Sequence, residues 1–184
     1  MSSKRKPTRE ETILKSRDLQ AFLNEFHTES DRATAVLGAA LLDEKLLQVL
    51  ETFFVDDKEQ VDPLLKPEGA LGSFAARIRV AYCLGLLTRD LFDTLTIVRE
   101  IRNAFAHQLH GLSFTTPIIA KKCDKLGSTV RGSDYVQNSP RGIFLFATSS
   151  AQLELWAMRE SIEVSSRRKI PKYEALVDWK RKPD

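Results

Sequence analysis

The spacing of the apolar side chains constrains this chain most: they recur at helical intervals along its length, and no stretch shows clean strand-like alternation. From Glu10 to Phe26 the residues Ile13, Leu14, Leu19, Phe22, Leu23 and Phe26 predict one amphipathic helix. Ser30 and Asp31 offer a cap for a second helix over Arg32 to Phe54. Its apolar stripe is Ala33, Val36, Leu37, Ala40, Leu41, Leu47 and Leu50. The small residues Ala35, Gly38, Ala39 and Ala40 on this helix would let another helix approach closely. Pro63, Pro67, Gly69 and Gly72 then mark turns around one short helix.

Further along, Ser73 predicts the start of a helix from Phe74 to Leu84, ending near Gly85, and Thr88 the start of a long one from Arg89 to His107 or Leu109. Pro117 suits the first turn of a helix reaching Leu126, and residues 127–142 are rich in turn formers and read as a loop. A last helix begins in the low 140s and runs to Val164, with Phe144, Leu145, Leu153, Leu155, Trp156 and Ile162 among its apolar positions. The expected fold is all-α: a single-domain bundle of about six helices over residues 9–166, with basic tails at 1–8 and 167–184.

Composition excludes several classes. At 184 residues and 42% hydrophobic, the chain can bury a core without disulfides or metal staples. No apolar run approaches the length of a membrane span, and the basic start MSSKRKPTREET has no apolar stretch behind it, so no secretory leader is expected. Cys83 and Cys123 lack metal-ligand spacing, and Cys83 reads as a core residue on an apolar helix. No glycine-rich phosphate loop, dinucleotide fingerprint or HExxH zinc motif occurs, so neither cofactor nor metal is expected. A cytoplasmic location follows as an expectation.

The net charge of +3 is unevenly placed: residues 1–17 carry +4, residues 167–184 carry +4, and the body between them carries −5. Lys4, Arg5, Lys6, Arg167, Arg168 and Lys169 are therefore the candidate contacts to DNA or RNA, against the plainer reading of solvated charged ends. An acidic body argues against laying a helix directly on phosphates. Phe74–Leu84, the turn at Gly85 and the start of the next helix make a superficial helix-turn-helix outline, but Asp90 and Asp93 stand in the first two turns of its would-be recognition helix.

On the helix TRDLFDTLTIVREIRNAFAHQLH, the residues Leu91, Leu95, Ile97, Val98, Ile101 and Phe105 cover an apolar arc. Arg99, Asn103, His107 and His110 share a quadrant on the other side, with Arg102 at the border. A guanidinium, a carboxamide and an imidazole near a helix C-terminus make a set that can hold a phosphate. With His107 as general base and Arg102 stabilising a phosphorane, such a set can also cleave RNA. The bland alternative has these side chains bonded to neighbouring helix ends or to Asp31, Asp43 or Glu44.

Two resemblances attach to these segments. The spacing from Arg102 to His107, with polar Asn103 after the arginine, resembles the R-x4-6-H motif of the HEPN superfamily, whose ribonuclease members are all-α dimers. The runs SDRATAVLGAALLDEKL (30–46) and LGSFAARIRVAYCLGLLTRDLFDTLTIVREIRNAFAH (71–107) resemble the mannitol operon repressor family more extensively, over residues 26–110. That resemblance implies an all-α regulator of sugar-alcohol uptake and use, without a standard DNA-binding motif.

The leading expectation is a transcriptional regulator acting on a sugar-alcohol operon directly or through a regulatory protein partner. The alternatives are a metal-independent endoribonuclease using Arg102, Asn103 and His107, and a non-catalytic interaction scaffold. A homodimer is expected from the small residues of the second helix.

Overall fold

Helices in this chain begin where a side chain can accept their first free backbone amides. The structure, a computed structural model, describes residue 26 and residues 29–108, 111–129 and 139–164. Six helices run through the described residues: α1 (Asp31–Phe53), α2 (Lys58–Leu65), α3 (Phe74–Cys83), α4 (Arg89–His107), α5 (Pro117–Thr129) and α6 (Pro140–Val164). The amides of Ala33, Ala76 and Leu91 donate to Ser30 Oγ, Ser73 Oγ and Thr88 Oγ1, each at 3.2 Å. At α2 the Gln60 amide donates to Asp57 Oδ1 at 3.3 Å. The turn after α3 passes through Gly85 at φ +72°, a conformation that side chains disfavour, and the Leu86 amide closes it onto the Ala81 carbonyl.

These elements make one all-α domain without strands among the described residues. The centre is α1, which packs chiefly on α6 and α4, while α5 packs on α6 and α4. Asp31 and Arg141 pair at 2.5 Å, so α1 and α6 start at the same end and run parallel. Arg32 Nη2 donates to the Gln108 carbonyl, which brings the C-terminus of α4 to that end and makes α4 antiparallel to both. Phe105, Phe114 and Phe144 stack through the core with centroids 5.3 and 5.1 Å apart, alongside Leu42, Leu46, Leu50, Leu95 and Ile101.

Several expectations need correction. The apolar stripe expected on α1 is mostly its outer face: Leu37 is 46% exposed and Ala40 is exposed, while Ala33, Val36, Leu41 and Leu47 are half-buried. The core face is Ala35, Gly38, Ala39, Leu42, Leu46, Val49 and Leu50, roughly opposite. The small residues do allow close helix approach, but the helix that approaches is α6 of the same chain. A Cβ on Gly38 would stand 3.1 Å from Phe144 Cε1 and 3.4 Å from Thr148 Cγ2.

Cys83 is exposed rather than in the core, because the buried face of α3 is Arg77, Ile78 and Ala81 and Cys83 lies in its last turn. Leu153, expected among the apolar positions of α6, is 42% exposed. The expected loop at 127–142 is shorter at both ends, since α5 runs to Thr129 and α6 starts at Pro140. The helix expected from Glu10 lies outside the described residues except for Phe26, which is helical and buried.

A small cavity of about 30 Å³ lies between α4 and α6, lined by Asp90, Leu91, Thr94, Ala147, Ser150, Ala151 and Glu154. Partial burial, and then the charge of Asp90, push the Glu154 carboxyl above its ordinary range. The folded chain therefore binds this proton more tightly than the unfolded one, and stability falls as pH rises through the carboxylate range. Glu154→Gln is expected to raise the thermal midpoint at pH 7 by about 1–2 °C. The gain should vanish below about pH 4, where the glutamate is also neutral. Melting curves of both proteins from pH 3 to 8 check this.

Candidate functional site

The polar face at the C-terminal end of α4 is the candidate site, and its position follows from how α4 is buried. Leu91, Thr94, Leu95, Val98, Ile101 and Phe105 face the bundle. At 100° per residue this turns Arg99, Asn103 and His107 outward, with Arg102 beside them. Arg102 and His107 are exposed, while Arg99 and Asn103 are half-buried. Arg102 Nη1 donates to Asn103 Oδ1 at 3.0 Å, so the guanidinium and the carboxamide are held together. His107 sits in the last turn, where a positive charge is favoured by the helix dipole. His110, the fourth expected member, lies outside the described residues, as do Lys4, Arg5, Lys6, Arg167, Arg168 and Lys169.

The carboxylates named as alternative partners for this cluster are bonded elsewhere. Asp31 accepts from Arg141 at 2.5 Å and from the Phe114 amide at 2.9 Å. Asp43 accepts from Arg77 at 2.7 Å, and Glu44 from Gln48 at 3.0 Å. The bland alternative of pairing with these three acids is therefore not what the structure contains. Instead, Arg32 holds the end of α4 by donating to the Gln108 carbonyl, while Arg141 Nη2 fixes the entry to α1 by donating to the carbonyls of Phe26 and Glu29 at 2.7 and 2.6 Å. The result is an exposed guanidinium and imidazole beside a half-buried carboxamide at the end of α4, suited to an anionic group arriving at the surface.

Sequence reasoning missed two arginines that carry the architecture. Arg77 is 7% exposed, and its guanidinium reaches Asp43, the Leu71 carbonyl at 2.8 Å and the Leu65 carbonyl at 3.0 Å. Arg141 does the corresponding work at the other end of α1. Their partners lie 34 and 110 residues away, so no local pattern reveals them. Burial pushes the Cys123 thiol up to about 12, which leaves it inert, whereas Cys83 is exposed. Among the described residues no group of three or more His, Cys, Asp and Glu side chains is placed to hold a metal ion. No described helix is long and apolar enough to cross a membrane.

A family model described as the mannitol repressor, MtlR, matches residues 19–151. The chain belongs to the mannitol repressor family. Over 88 residues it is 31% identical to the mannitol operon repressors of Escherichia coli strain K12 and of Escherichia coli O6:H1 strain CFT073, covering 46% of this chain and 45% of each relative. The chain thus spans about half the length of the curated relatives it matches. A chain in the X-ray structure of the MtlR–HPr complex from Escherichia coli has the same fold, with a TM-score of 0.58 at 20% identity over 78% of this chain and 98% of that one.

The segments that carry the mannitol repressor resemblance are largely architectural. Ser30 and Ser73 cap helices, and Asp43 and Arg77 form the ion pair joining α1 to α3. In the IRNAFAH ending, Ile101 and Phe105 are buried, whereas Arg102 and His107 are left on the surface.

Proposed function

We propose that this mannitol repressor family member regulates a mannitol-type operon by binding a protein partner of the HPr kind. Family membership together with a fold match to MtlR from a complex with HPr carries the reading. The surface chemistry agrees with it. The N-terminal half of α4, the only plausible recognition helix in the helix-turn-helix outline, is engaged in the bundle through Leu91, Thr94 and Leu95. Asp90 is solvent-accessible in its first turn beside Glu154 of α6, and Asp93 is paired with Arg89 at 2.9 Å. Such a helix repels a phosphate backbone. Contact with DNA or RNA, where it occurs, falls to the tails at Lys4, Arg5, Lys6 and Arg167, Arg168, Lys169. A cytoplasmic location accords with this reading. Homodimerisation loses the support first given for it, because Gly38 and its small neighbours are occupied by α6.

Calorimetry of the purified chain against HPr tests the partner, and a mobility-shift assay with a mannitol operator fragment tests direct contact. Saturable binding of HPr is expected, with any DNA shift abolished by deleting both tails. A sequence-specific shift that survives tail deletion would place DNA recognition in the body and overturn the reading.

A second reading has an observation of its own: Arg102, Asn103 and His107 are clustered, and both Arg102 and His107 are open to solvent. On that reading the chain cuts RNA without metal, and His107→Ala abolishes cleavage. Because His107 is exposed, that substitution is expected to shift stability by no more than about 0.5 kcal/mol. Incubation of both proteins with a labelled RNA pool in EDTA decides the matter, and intact RNA with the unsubstituted protein eliminates the reading.

A further inference from the structure

Helices α3 and α4 share an outer face whose charge runs against that of the acidic body. The Tyr82 and Phe92 rings meet there with centroids 4.6 Å apart, across the Gly85 turn. Arg77, five residues before Tyr82, bonds Asp43 in the middle of α1, so α3 runs back along α4. At helical rise this sets Arg79 near the level of Thr96 and Ala75 near that of Arg99. On α3, Ala75 and Arg79 are exposed and Tyr82 is 37% exposed. On α4, Phe92, Thr96, Arg99 and Asn103 fall within about 60° of one another, and all four are half-buried.

The carboxylates of these helices are engaged elsewhere. Helix α3 has none, Asp93 pairs with Arg89, Glu100 pairs with Lys122 on α5, and Asp90 lines the cavity with Glu154 on α6. Arg79 and Arg99 have no carboxylate partner among the described residues, and Arg102, bonded to Asn103, extends the row. The face therefore joins uncompensated guanidinium groups to an accessible aromatic ring, the residue types that anchor protein interfaces. It does not suit nucleic acid. The Phe92 ring is covered by Tyr82 and by Arg89, 5.6 Å over its centroid, and Asp93 interrupts the positive charge beside them.

We propose that this face docks an acidic segment of a partner protein, with apolar side chains of the segment on Tyr82 and Ala75 and its carboxylates on Arg79 and Arg99. Charge complementarity selects the partner, because arginine forks pair best with carboxylates and the faces of the Phe92 ring are already taken. The proposal does not rest on the HPr reading.

Fluorescence anisotropy of the full chain with two labelled probes tests this: an acidic peptide alternating pairs of glutamate and leucine, and a short oligothymidylate. Arg79→Glu with Arg99→Glu is expected to weaken the peptide at least about tenfold, and Tyr82→Ala about fivefold. Neutralising Lys4, Arg5, Lys6, Arg167, Arg168 and Lys169 to glutamine should cost less than about threefold, as should Arg79→Lys with Arg99→Lys, which keeps the charge. Peptide-induced NMR shift changes in the unsubstituted chain, which need no substitution, should centre on residues 75–82 and 92–99. No binding of the peptide, shift changes centred elsewhere, or a loss that follows the tails and not the two arginines would each overturn the proposal. Tighter binding of the oligothymidylate at the same residues would also overturn it, by assigning the face to nucleic acid.

Discussion

Arg77→Ala is expected to cost about 3 kcal/mol of folding stability, a fall in thermal midpoint of about 6–12 °C. The guanidinium makes three bonds at once: to Asp43 at 2.7 Å, to the Leu71 carbonyl at 2.8 Å and to the Leu65 carbonyl at 3.0 Å. Those carbonyls end α2 and the turn after it, so one side chain fixes the α2–α3 connection onto α1. Alanine leaves two carbonyls unpaired and a carboxylate without its cation, and the loss is dominated by these abandoned partners. The estimate sits at the low end for a buried pair because the Asp43 side chain is 30% exposed and water can reach it. Arg77→Lys should recover only part of the loss, since one ammonium cannot span both carbonyls and the acid. Denaturant unfolding of the three proteins measures the differences, and a loss below about 1 kcal/mol for alanine would show that the network is not structurally important.

Gly38→Leu is expected to cost a similar amount, about 3 kcal/mol, by forcing α1 and α6 apart. Even a methyl group there would meet Phe144 Cε1 at 3.1 Å and Thr148 Cγ2 at 3.4 Å. Gly38→Ala should be close to neutral, because the gain from removing a helical glycine offsets the tight contact. Ala40→Leu, two residues away on the exposed face, should change stability by no more than about 0.5 kcal/mol. If both leucine variants melted alike, the assignment of the buried face of α1 would be wrong.

These two positions also show what was legible in the sequence. Helix starts were readable because Ser30, Ser73, Thr88 and Pro117 act on their own first turns, and that information is local. The buried face of α1 was not, because apolar or small residues occupy both sides of this helix and Leu37 stands exposed while Gly38 is in the core. The positions of α4 and α6, far along the chain, decide between the sides. The candidate site on α4 was more legible, since its apolar arc and polar quadrant are cleanly separated. The sequence could not show that Asp31, Asp43 and Glu44 have other partners, or that Arg102 and His107 are open to solvent. An arginine read from sequence is by default a surface residue, so the buried Arg77 escaped notice altogether.

The measurement that tests the central claim most directly is calorimetry of the purified full chain against HPr, run beside a titration of a mannitol operator fragment. Saturable binding of HPr, with DNA bound only in a salt-sensitive manner that depends on the tails, is the expected result. Tight, sequence-specific DNA binding with no detectable binding of HPr would contradict regulation through a protein partner.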